Sequence, residues 1–119
     1  MVQILIVDDD RVMLKYLSDA LKKAGHEIQT AENGLDALEH IKAYNVDLLL
    51  TDIVMPGMDG IALSKKASVI SPNLKILFMT GFAVEEFNKE KLEDIIPKVV
   101  SKPFHLKEIV AQVENMLNQ

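Results

Sequence analysis

A chain of 119 residues, 49% hydrophobic and 26% charged, has room for one domain with one core and not for two. A net charge of -5 and a single arginine, Arg11, argue against broad binding to nucleic acid or anionic lipid. The lack of cysteine excludes disulfides and thiol catalysis and fits a reducing cytoplasm, and the opening "MVQILIVDDD" has no basic leader and too short an apolar run for a signal peptide or a membrane span.

In chain order, "VQILIV" (2–7) predicts a short, buried, β-branched strand. Val12, Met13, Tyr16, Leu17, Ala20, Leu21 and Ala24 then recur at helical spacing, and Gly25 reads as the helix stop. "HEIQTA" (26–31) alternates polar and apolar residues, as an edge strand does. Asn33-Gly34 marks a turn, and Leu35, Leu38 and Ile41 trace a second helix to about Tyr44. "VDLLL" (46–50) predicts a third strand, 59–70 a third helix, and "LKILFM" (74–79) a fourth strand. A charged helix is expected over 84–95, a short fifth strand over 98–100, and a last amphipathic helix through Leu106, Ile109, Val110, Val113, Met116 and Leu117.

Five strands alternating with helices imply an α/β domain whose parallel sheet is covered on both faces. In such sheets the ligand site lies beyond the carboxyl ends of the strands. After the first strand stand Asp8, Asp9 and Asp10; after the third, Asp52; after the fourth, Thr80; after the fifth, Lys102. The second strand adds nothing comparable. Two carboxylates ~4 Å apart repel by roughly 4 kcal/mol at an effective dielectric of 20, so this rim needs a cation. Oxygen ligands without His or Cys suit Mg²⁺. A carboxylate held beside Mg²⁺ and a lysine can attack phosphorus and form an aspartyl phosphate. The Thr80 hydroxyl and the Lys102 ammonium are then placed to hold phosphoryl oxygens. The rigid Pro56-Gly57 turn after Asp52 keeps that acid at the rim.

The tracts "VDDD" (7–10), "TDIVMPGMDG" (51–60), "MTGF" (79–82) and "SKPF" (101–104) resemble the bacterial response-regulator receiver domains, over essentially the whole chain. The resemblance implies a flavodoxin-like sheet in the order 2-1-3-4-5. It makes Asp52 the phosphoacceptor, Asp8 and Asp9 the Mg²⁺-binding pair, Val54 the donor of a metal-binding carbonyl, Thr80 the switch hydroxyl and Lys102 the phosphate-binding lysine. Within the family, "DLLLTDIVMPGMDG", "MTGFA" and "KVVSKPFHL" are similar to stand-alone receivers that regulate the ClpXP protease. That narrower likeness implies one receiver over residues 1–119 with no output domain, a monomer or weak dimer. Its phosphodonor would be a histidine phosphotransfer protein or histidine kinase. The bare form would engage the ClpX unfoldase, and neither nucleic acid nor membrane would be a partner.

The pattern departs from the family at Val99, where many receivers carry an aromatic switch residue three positions before the lysine. Phe82 and Phe104 are the rings nearby in sequence that could replace it. A phosphatase of the haloacid-dehalogenase type also uses an aspartate nucleophile, but it needs a carboxylate two residues later, where this chain has Val54. A phosphate shuttle without an effector, or a regulator of a kinase, stays open. Asp10 and Asp59 read as helix caps, Gly60 as a close-packing glycine, and Met55 and Met58 as packing of the turn. The histidines His26, His40 and His105 share no motif and read as surface or structural.

Overall fold

The computed structural model describes residues 2–80, 99–101 and 106–118. Strands β1 (Gln3–Val7), β2 (Glu27–Ala31), β3 (Leu48–Asp52), β4 (Lys75–Thr80) and β5 (Val99–Ser101) form one parallel sheet in the order β2-β1-β3-β4-β5. Helices α1 (Arg11–Lys23), α2 (Gly34–Ala43) and α3 (Gly60–Ile70) and a C-terminal helix (Leu106–Leu117) cover it. The doubly wound α/β architecture is the flavodoxin-like one expected, with β2 on the edge. The helix expected over 84–95 lies outside the described residues. None of the helices searched is long and apolar enough to cross a membrane.

Side chains alternate across the pleat, and both faces are buried. Ile4, Ile6, Leu48 and Leu50 meet Leu14, Leu17 and Leu21 of α1 and Ile109, Val113 and Met116 of the C-terminal helix. Leu5, Val7 and Leu49 point to the other side, onto Ala37, Leu38 and Ile41 of α2 and Leu63 and Ala67 of α3. Leu48, Leu49 and Leu50 are fully buried, and each such side chain contributes about 1.5–3 kcal/mol by leaving water. A strand sealed on both faces reads as an unbroken apolar run, which is why the centre of β3 was visible in the sequence.

Some details differ from expectation. The third strand runs two residues later than 46–50 and includes Thr51 and Asp52, because Thr51 and Asp52 stay in register with Phe78 and Met79 of β4. The ladder continues on backbone groups, whatever the side-chain polarity. Thr80 likewise ends β4, in register with Ser101. Asn33 is not in a free turn; its side chain accepts the Asp36 N–H at 2.8 Å and caps α2, which begins at Gly34. Leu35 is 70% exposed, and Val12 and Tyr16 are also exposed, while Leu14 takes their place in the core. The apolar stripe of α1 is therefore rotated from the one the sequence spacing traced. Gly25 ends α1 in the left-handed region, at φ 98°, where only glycine is comfortable.

Candidate functional site at the carboxyl ends of the strands

Asp8 follows β1 directly. Its N–H donates to the Ala31 carbonyl at 3.2 Å, so β2 supplies a backbone acceptor that sequence reasoning missed. The Asp10 N–H donates to Asp8 Oδ1 at 3.0 Å. Asp10 itself caps α1, its Oδ1 accepting from the N–H groups of Val12 (2.9 Å) and Met13 (3.3 Å). Arg11 forms an ion pair with Glu32, just past β2, which links the two loops across the rim. No residue pattern signals that pair, since it depends on β1 and β2 being neighbours.

Asp52 is the last residue of β3 and lies in the sheet interior. Its Oδ1 accepts the Val54 N–H at 3.2 Å. The following backbone is tied down on both sides: Ile53 N–H donates to Met79 O at 2.9 Å, and Gly60 N–H to Ile53 O at 2.8 Å. Gly60 sits so near the strand end that a Cβ there would lie 2.1 Å from the Asp52 carbonyl oxygen. Glycine is required by that approach, as expected. Asp59 caps α3, accepting the Ala62 N–H at 2.7 Å. Met55 is buried, and Met58 packs on the same cluster and against Gly34. A Cβ on Gly34 would come within 2.7 Å of the Met58 sulfur, so the β3–α3 loop and the start of α2 fit each other.

Among the described residues, Asp8 and Asp52 are the only charged side chains that are buried. Burying two carboxylates together is costly unless something compensates them. With the exposed Asp9 they form a group whose ligand oxygens all lie within 4.8 Å of one another. An all-oxygen group of that size is what a hard divalent cation requires. The fold therefore brings together two acids that follow β1 and one that ends β3. Thr80 ends β4 one position beyond Met79, the register partner of Asp52, and Val54 is 45% exposed beside the acid. Val99 has its main chain in β5, in register with Phe78. Lys102, Phe82 and Phe104 lie outside the described residues.

Of the three histidines, His105 lies outside the described residues, and neither His26 nor His40 belongs to the acidic group. His26 Nε2 lies 2.6 Å from Glu114 Oε1 and joins the start of β2 to the C-terminal helix. His40 is paired with the Tyr44 ring, with centroids 4.7 Å apart, and burial lowers its pKa from the usual 6.5.

Residues 4–114 match the response regulator receiver domain. The chain is 46% identical over 117 residues to the response regulator receiver protein CpdR of Brucella abortus (strain 2308), covering 98% of each chain. It is 35% identical over 115 residues to sporulation initiation phosphotransferase F of Bacillus subtilis (strain 168), covering 97% of this chain and 93% of that one. The crystal structure of the response regulator TrrA of Thermotoga maritima in complex with Mg²⁺–BeF superimposes with a TM-score of 0.84 at 30% identity, covering 98% of this chain and all of that one. The likeness thus runs from the first strand into the last helix and takes in all three acids of the rim, and on that ground the chain belongs to the response-regulator receiver domains.

Proposed function

We propose that the protein acts as a response-regulator receiver in a cytoplasmic phosphorelay. The observation that supports this most is the gathering of Asp8, Asp9 and the buried Asp52 within 4.8 Å of one another. Asp9, Asp52 and the Val54 carbonyl would hold Mg²⁺ directly, and Asp8 mainly through water. Bound there, Mg²⁺ supplies the positive charge that lets the acids sit together and draws charge from the phosphoryl oxygens. Partners of receiver domains are histidine kinases or phosphotransfer proteins. An Asp52 oxygen attacks the phosphorus of the partner's phosphohistidine. The P–N bond breaks, and its electron pair returns to the imidazole, which takes up a proton. The Thr80 hydroxyl and the Lys102 ammonium hold the transferred oxygens.

Acetyl phosphate with Mg²⁺ should label Asp52 alone, as read by mass spectrometry. Labelling that survives Asp52→Ala, or that needs no divalent metal, defeats the assignment. Hydrolysis should be slow for a receiver, because Val54 and Phe82, two residues after Asp52 and Thr80, carry no group to orient a water. Val54→Asn with Phe82→Glu should shorten the acyl-phosphate lifetime.

Support for the output comes from the 46% identity with CpdR and from the tracts shared with receivers that regulate ClpXP. The bare form binds the ClpX unfoldase, and phosphorylation releases it through the surface around Phe82, Val99 and Phe104. Affinity for ClpX should be high for wild type and Asp52→Ala and low for the beryllofluoride complex; equal affinities in all three would remove the switch. A second reading, a phosphate shuttle, draws on the likeness to sporulation initiation phosphotransferase F. It predicts that label passes from Asp52 to a second histidine protein while ClpX binding ignores phosphorylation.

A further inference from the structure

The β1–α1 loop contains a third acid that neither the metal nor the phosphoryl group requires. Asp10 is exposed, and its side chain is engaged with α1 rather than with the rim. Its own backbone, however, faces the other way. With φ -92° and ψ 108°, its N–H meets Asp8 Oδ1 at 3.0 Å. These two sets of bonds depend on each other. Accepting the N–H groups of Val12 and Met13 holds residue 10 in the extended conformation of a cap, and that conformation aims its N–H at Asp8.

We propose that Asp10 is a positioning residue for Asp8. A carboxylate is free to swing about its terminal torsion, and one oxygen pinned by a donor fixes where the other points. Asp8 is 1% exposed, which leaves water little access to substitute for that donor. The pin is anchored in the core: Leu14, Leu17 and Leu21 hold α1, α1 holds Asp10 through the cap, and Asp10 holds Asp8. Capping chemistry alone is common in this molecule, since Asn33 and Asp59 do the same for α2 and α3. Among the described caps, only that of α1 stands two residues after a buried acid; the equivalent positions before Asn33 and Asp59 are Ala31 and Gly57. Asp10 therefore works through its cap geometry and not through its charge.

This rests on the reading of the rim as a divalent-cation site, and the test separates the two. Mg²⁺ affinity is measured by titration calorimetry, and Mn²⁺ affinity by electron paramagnetic resonance, on the full chain. Asp10→Ala should raise the dissociation constant about tenfold, the low end of the loss seen when a group holding a metal ligand is removed. Asp10→Asn, which caps as well as Asp but is uncharged, should stay within about twofold of wild type. Asn33→Ala loses a comparable cap elsewhere and should lower the melting temperature without changing metal affinity. If Asp10→Ala is too unstable to titrate, Asp10→Gly removes the same acceptor at little cost in stability and should show the same loss. Wild-type affinity in the variants lacking the acceptor, or an equal loss in Asp10→Asn or Asn33→Ala, overturns the proposal. A wild-type chain whose metal binding is absent, or indifferent to Asp9→Asn, overturns the cation-site reading and this inference with it.

Discussion

The loops that follow β1 and β3, beside the acids of the rim, share their side-chain tethers and differ in their use of the main chain. The β1–α1 loop, Asp8 to Asp10, is short; it is held by the Asp10 cap on the helix, by the Asp10 N–H donated to Asp8 and by the Asp8 N–H donated to the Ala31 carbonyl. The β3–α3 loop, Ile53 to Asp59, is longer; it has the same kinds of side-chain bond, from the Val54 N–H to Asp52 and from the Ala62 N–H to Asp59, and adds the main-chain bonds of Ile53 to Met79 and of Gly60 to Ile53. It also relies on a glycine packed directly on the Asp52 carbonyl and on Gly57 at φ 76°. The second loop therefore leans on glycine, since a side chain at Gly60 would meet backbone, whereas the first loop contains no glycine.

The largest effect should come from filling the space at Gly60. Gly60→Ala puts a methyl group where backbone stands, and flexible side chains cannot absorb it. We expect a loss of about 3 kcal/mol or more by urea unfolding, with loss of Asp52 labelling. A near-wild-type midpoint would mean that the loop is less tightly bound to the strand end than the geometry indicates. Next comes Gly57→Ala, where nothing lies within 4 Å of the new Cβ. Only backbone conformation resists the change, so the loss should be about 1–2 kcal/mol.

Asp59→Ala removes the cap of α3 and should lower stability by about 1 kcal/mol. Because the Asp59 cap bonds to Ala62 and not to an acid of the rim, metal affinity should hold. A parallel loss of metal affinity would erase the contrast between the loops. The smallest effect belongs to His40, on α2 and outside both loops. Its pKa is lowered by burial, so the unfolded chain binds more protons between the folded value and 6.5. Stability therefore rises with pH through that window and falls as acid is added. His40→Gln should flatten this slope in pH-dependent unfolding; an unchanged slope would place its origin in another group.

The sheet was readable from sequence because strands buried on both faces leave uninterrupted apolar runs, as Leu48 to Leu50 do. Strand ends were less readable, since Thr51 and Asp52 look like loop residues and yet continue the ladder. The helix stripes were traced by apolar type alone, which admitted Val12, Tyr16 and Leu35 and passed over Leu14; only packing decides which apolar residues face inward. At the rim, the acids and their partners by type were visible in their motifs. The tethers were not, because the bonds of Asp8 to Ala31 and of Arg11 to Glu32 arise from strand adjacency. The cap at Asn33 was hidden behind a dipeptide that also signals a turn.

The division of the core between the two faces of the sheet bears on how the chain folds as it is made. Among the described residues, the cluster beneath α2 and α3 draws its members from Leu5 to Ile76. The cluster beneath α1 is incomplete without Ile109, Val113 and Met116, and the bond between His26 and Glu114 spans 88 residues of sequence. In a chain made from the N-terminus, the side beneath α1 should therefore wait for the last helix, with Leu14, Leu17 and Leu21 open to chaperones in the interval. Limited proteolysis of ribosome-bound chains stalled after Thr80, with a tether long enough to clear the exit tunnel, should cut α1 more readily than α2 or α3. Equal protection of all three helices would show that the two faces close together.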